Sequence, residues 1–210
     1  MEDVLEVYTR PYDARHPVVC LDEASKQLVA DVTPPRPMQP GQPACQDYEY
    51  ARCGTANLFM LFEPLAGQRH VKVTDQRTSA DLAAVLREMA DVTYAEAEKI
   101  VIVMDNLNTH KLAVLYQVYP PAEARRLYER FEVHHTPKHA SWLNMAETEL
   151  SVLSRQCLDR RIAHPDVLQR EVAAWQATRN RAQVRVDWHF TTTDARIKLK
   201  RLYPKLEPVS

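Results

Sequence analysis

The chain has 210 residues, 45% of them hydrophobic, with 27 Lys and Arg against 28 Asp and Glu. That size and balance suit one globular domain with at most a small appendage, and the net charge of −1 excludes a uniformly basic nucleic-acid binder, so any DNA contact must come from local patches. With 3 glycines there is no phosphate-cradling glycine-rich loop. No apolar run approaches the roughly 18 residues of a membrane span, and Glu2, Asp3 and Glu6 exclude a signal peptide.

Residues 1–16 are polar and irregular and read as a connecting segment. PVVCLD (17–22) is a β-branched apolar run closed by an acid, and a second strand is expected at 27–32. The proline-rich stretch 34–43 is too donor-poor for a central strand and reads as a loop. Strands follow at 56–62 and, shorter, at 71–73. Ser79 is a suitable N-cap for a helix with Leu82, Val85, Leu86 and Met89 at helical spacing. KIVIVM (99–104) suits a strand buried on both faces and ends at Asp105. One helix carries Leu112, Leu115 and Tyr116, and another carries Ala122, Leu127 and Phe131. A short strand at 132–135 precedes helices at 144–160 and 165–182 and a last one from about Thr193. The order predicts an α/β fold, a mixed β-sheet flanked by helices. Residues 17–182 form the main domain, 1–16 a linker and 183–210 a helical extension.

The four cysteines, Cys20, Cys45, Cys53 and Cys157, form no C-x-x-C pair, which speaks against structural zinc and for a reduced, cytoplasmic setting. Cys20 and Cys157 sit in apolar surroundings and are expected in the core.

Two acids carry the chemical signal. Asp22 and Asp105 each close an apolar strand, and ligands in such folds gather outside the carboxyl ends of strands. Acids also occur there simply because strands stop where solvent begins. If the two strands are adjacent and parallel, both carboxylates face one volume, and their repulsion calls for a proton or a cation. Aspartate oxygens suit Mg²⁺ or Mn²⁺. On the helix after Trp142, Glu147 falls within the stripe of Leu143, Leu150, Leu153, Cys157 and Leu158, whereas Glu149 points away and reads as a solvated acid. A core-facing glutamate needs a metal or a basic partner. Three carboxylates around divalent metal match two-ion phosphoryl transfer, with no side-chain nucleophile.

Asn106, Asn108 and His110 follow the second aspartate, where they orient a metal-bound water, touch a phosphate, or close a turn on their own backbone. Lys138 and His139 precede the third acid, placed to meet a scissile phosphate or to sit in an exposed loop. His134 and His135 read as ordinary strand residues and Trp142 as core. Arg179, Arg181, Arg185, Arg196, Lys198, Lys200 and Arg201 give the C-terminal third a positive bias, either for phosphate or as a solvated helix face.

The segments VVCLDE (18–23), VIVMDNLNTH (101–110), HHTPKHASWLNMAETELSVLSRQ (134–156) and TTTDARIKLKRLYP (191–204) resemble bacterial DDE transposases of the mariner superfamily, of the insertion sequence six-thirty type. The resemblance implies a ribonuclease H-like fold and Mg²⁺-dependent cutting and joining of DNA at transposon ends. It carries the three acids of that family onto Asp22, Asp105 and Glu147. DNA, as transposon ends and target, is the implied partner, with a homodimer that brings two ends together and a nucleoid-associated setting. Members carry helix-turn-helix modules ahead of the catalytic domain. Here such a module is expected on a separate chain or missing, which leaves a catalytically inert DNA-binding or interaction module as the rival reading.

Overall fold

The computed structural model describes residues 1–105, 111–138 and 140–203. Its frame is a five-stranded mixed sheet of order β3-β2-β1-β4-β5, formed by β1 (Val18–Asp31), β2 (Tyr50–Glu63), β3 (Gln68–Thr74), β4 (Ile100–Met104) and β5 (Phe131–His135). The first three strands are an antiparallel meander, while β4 and β5 join parallel to β1. Helices α1 (Glu2–Tyr8), α5 (Met145–Leu153), α6 (Pro165–Arg181) and α7 (Thr192–Lys198) contribute to one face. Helices α2 (Ser79–Glu88), α3 (Val114–Val118) and α4 (Pro121–Tyr128) contribute to the other.

Strand parity divides the core. Cys20, Leu28, Leu58, Met60, Phe62, Val101 and Val103 face α5 and α6, whereas Val19, Leu21, Phe59, Leu61, Ile100, Ile102 and Met104 face α2 to α4. Both faces of β4 are therefore dry, which explains its unbroken apolar run.

Several elements differ from the sequence expectation. The segment 1–16 is not a bare linker. Val4, Leu5, Val7 and Tyr8 repeat at helical spacing and are buried in α1, whose Glu2 pairs with Arg196 of α7. The strands expected at 17–22 and 27–32 are one continuous β1, because its polar middle pairs along β2, as in Ser25 Oγ–H donating to Asn57 Oδ1. Thr78, not Ser79, caps α2, in a reciprocal capping box with Asp81. Phe131 opens β5 instead of closing the preceding helix. The helix expected over 144–160 is α-helical only over α5 and continues as a π-helical turn through Leu158.

The outer edge of β3 is covered by side-chain amides. Asn180 accepts from the Arg69 N–H and donates to the Arg69 carbonyl, and Gln176 accepts from the Val71 N–H. One turn apart on α6, they stand in for a neighbouring strand on an edge that would otherwise recruit one.

Arg69 is the hub of this face and is 0% exposed. Its guanidinium donates to Glu149 Oε1 at 2.7 Å, to Gly67 O at 2.8 Å and to Val184 O at 2.6 Å, and lies over the Phe62 ring. Arg179 donates to the same Glu149 oxygen at 2.6 Å. Gly67 has φ +66°, and a Cβ there would meet the Gln183 backbone at 2.8 Å, so this close approach requires glycine. Truncating Glu149 would leave two arginines without their carboxylate, one of them fully buried. Glu149→Ala is expected to cost about 3–5 kcal/mol in a denaturant titration; a loss under about 1 kcal/mol would show that the network is not structural.

Candidate active site

The ladder between β1 and β4 pairs Val18 with Val101, Val19 with Ile102 and Cys20 with Val103. Continuing that register by two residues sets Asp22 beside Asp105. The parity of Cys20 and Val103, both in the core beneath α5 and α6, puts the two aspartates on the same face. α5 packs on β1 and β2 and carries Glu147 in its first turn.

The electrostatics agree with this convergence. The Asp22 pKa is raised to about 7, chiefly by burial. The charges of Asp105, Glu23 and Glu147 push the same way, and the Glu23 N–H bonded to Asp22 Oδ1 at 2.9 Å opposes them. Asp22 thus feels both other candidate acids. Among the described residues, no three His, Cys, Asp or Glu side chains already stand close enough to hold a metal ion. The set is a half-buried, mutually repelling group of carboxylate oxygens, and that donor chemistry fits a hard divalent cation.

The helix-phase expectation for the third acid is reversed by the structure. Glu149 is 3% exposed and paired with two arginines, while Glu147 is exposed. The buried residues of α5 are Met145, Ala146, Glu149, Leu150 and Leu153. Leu143 belongs to the preceding 3-10 turn (Ser141–Leu143), so counting it in the apolar stripe rotated the expected buried face. Glu147 faces the solvent side, where its charge acts on Asp22.

Other expectations divide. Lys138 is exposed in the turn after β5. Asn106, Asn108, His110 and His139 lie outside the described residues. Trp142 is not core: it is 43% exposed, with its ring edge-to-face against Phe190 at 5.9 Å, because it sits on the 3-10 turn and not within α5. Cys20 is buried and Cys157 only partly so. Of the basic C-terminal residues, Arg179 serves Glu149, Arg196 pairs with Glu2 and Lys198 with Asp194, while Arg181, Arg185, Lys200 and Arg201 remain exposed.

Two residues at the site carry more than the sequence reading gave them. His135, opposite Met104 in the β4–β5 register, donates from Nδ1 to the Asp105 carbonyl at 3.1 Å. A carbonyl oxygen can only accept, so Nδ1 carries the proton in this bond. The signal was its place at the end of the strand beside β4. His134 meets Asp3 and Glu132 instead. The second residue, Asn144, caps α5 and has no acid-like signature in sequence.

The family model of the DDE superfamily endonucleases matches residues 17–169, which include all three acids. The chain belongs to this DDE endonuclease family. Solved structures of the Mos1 mariner transposase share its ribonuclease H-like fold. The paired-end complex with Mn aligns at a TM-score of 0.53 and 17% identity, over 86% of this chain and 55% of that one. The strand transfer complex aligns at 0.59 and 15%, over 86% and 53%. The paired-end complex with Mg aligns at 0.54 and 18%, over 84% and 53%. The DDE chain thus spans about half the length of these structures. No curated protein matches it by sequence. No helix among the described residues is long and apolar enough to cross a membrane.

The tension at Asp22 predicts a pH dependence. Its folded-state pKa lies above its ordinary 3.8, so the stabilisation tied to its proton is fully present below that value and is lost as pH rises through about 7. In EDTA, the wild-type melting temperature is expected to fall across this window. Asp22→Asn should flatten the fall and melt above wild type at pH 8. A variant that keeps the wild-type slope would contradict this.

Proposed function

We propose that this chain is the catalytic domain of a DDE transposase, cutting DNA phosphodiesters at insertion-sequence ends and using the freed 3′-hydroxyl to attack a phosphodiester of target DNA, whose own 3′-oxygen leaves. The observation that carries the reading is the β1–β4 register, which brings Asp22 and Asp105 together beneath the helix bearing Glu147. Asp22, Asp105 and Glu147 would hold two Mg²⁺ or Mn²⁺ ions. Such ions, when bound, activate the attacking oxygen and stabilise the leaving one.

The chain's own residues set the rest. Repulsion from Asp105 and Glu147 at Asp22 makes the site attractive to cations and unattractive to DNA phosphate without them. His135 holds the backbone at Asp105. Lys138, exposed beside the approach to α5, is placed to meet a phosphate, and Asn106, Asn108, His110 and His139 are assigned the same supporting role. Residues 17–182 are the catalytic unit in this reading, with 183–210 as its extension.

The Mos1 structures are complexes of paired transposon ends and of strand transfer. By analogy this chain would act as a homodimer on two DNA ends, within the bacterial nucleoid, with end recognition by helix-turn-helix modules on this or a separate chain. The test is cleavage of a duplex carrying the element's ends in Mg²⁺ or Mn²⁺. Asp22→Asn, Asp105→Asn and Glu147→Gln should each lose more than about 100-fold in rate, the upper end of what outer-shell partners cost a metal site. Wild-type rates in any one of the three would remove that residue from the site. A folded wild type that binds DNA but never cleaves it would favour the inert-module reading.

A further inference from the structure

Asn144 joins the two pieces of backbone that carry acids distant in sequence. It is 1% exposed. Its Oδ1 accepts from the Ala146 N–H at 3.1 Å, capping α5. Its Nδ2 donates to the Leu21 carbonyl at 2.8 Å. Leu21 immediately precedes Asp22, and the Glu147 N–H bonds to the Asn144 carbonyl at 3.1 Å. A single amide therefore spans the step between strand and helix, one arm on each. From the other side, the Tyr8 hydroxyl donates to the Leu143 carbonyl at 2.6 Å and lies 3.3 Å from Cys20 Sγ, pinning the same turn.

The choice of residue is informative. Ser, Thr and Asp cap a helix about as well as Asn. Only Asn adds an amide donor of the right length on the same side chain, so the cap alone does not explain the bond to Leu21. The acids it links repel one another, so their separation needs an independent restraint.

We infer that Asn144 is a positioning residue for metal binding: it holds the first turn of α5 on β1 so that Glu147 stays in reach of a cation shared with Asp22. This rests on the site assignment under Proposed function. Groups that orient metal ligands from outside the coordination sphere typically change metal affinity 10- to 100-fold when removed.

The test is Asn144→Ser, which keeps a cap but is too short to reach Leu21. Binding of Mn²⁺ by the full chain, without DNA, is followed by the electron paramagnetic resonance of free Mn²⁺. Circular dichroism and melting in EDTA check the fold. The expected result is Mn²⁺ binding weakened roughly 10- to 100-fold in a cooperatively folded variant, with cleavage restored by raising Mn²⁺. A purely structural role would lower the melting temperature and leave the Mn²⁺ affinity unchanged, which would overturn the inference. If Asn144→Ser does not fold, Tyr8→Phe removes a bond from the same joint while leaving the cap. It should also bind Mn²⁺ more weakly, and wild-type affinity there would overturn the inference. Glu147→Gln separates the two claims. If it loses Mn²⁺ while Asn144→Ser does not, the role of Asn144 fails alone; if it binds as wild type, the site assignment fails and takes this inference with it.

Discussion

Glu149 sits almost wholly out of water between two arginines, and the orientation of α5 depends on that burial. A carboxylate in such a place must remain hydrogen-bonded to its cations, so the helix cannot rotate about its axis without stranding charge. Arg69 ties the network to β3 and Arg179 to α6, so α5 is referenced to the edge of the sheet and to its covering helix together. With Glu149 facing inward, Glu147 faces outward, on the side where its charge reaches Asp22. With each nitrogen of the Arg69 guanidinium hydrogen-bonded, this ion pair is a statement about register and phase more than about net stability.

Against that fixed frame, the candidate site is kept under tension. Asp22 lies on a strand whose neighbours on the same face are core residues, and burial, with the nearby carboxylates adding to it, raises its pKa to about 7. A protein with no use for this arrangement would gain stability by replacing Asp22 with a neutral residue. Local cost of this kind, kept beside the end of β4, is characteristic of catalytic groups. Under the proposed function a divalent cation would relieve it, in keeping with membership of the DDE endonucleases.

Much of the fold was legible in sequence because both faces of the inner strands are dry. The apolar run before Asp105 reads as a buried strand whatever surrounds it. Asp105 is legible because a strand end is a local property, whereas Asp22, expected to close a strand, lies inside the continuous β1. What failed was decided by tertiary partners. The polar middle of β1 looks like a break until β2 is laid beside it. α1 looks like a linker because its apolar residues are few, although Val4, Leu5, Val7 and Tyr8 already had helical spacing. The helix phase legible in sequence buries Glu147 and exposes Glu149, and the structure reverses it, since nothing local announces that Arg69, eighty residues away, buries Glu149. The assignment of Glu147 now rests on its charge reaching Asp22 and on the family resemblance. Asn144 gives no signal in sequence, because an N-cap asparagine is unremarkable until its second arm meets Leu21.

The most direct measurement is a crystal structure of the chain with Mn²⁺, read from the anomalous scattering of the metal. Anomalous peaks should lie between the carboxylates of Asp22 and Asp105, with a Glu147 oxygen at bonding distance from one of them, about 2.1 Å, the separation typical of a small hard divalent cation. Manganese bound elsewhere, or bound to the aspartates with Glu147 left in solvent, would contradict the three-carboxylate site.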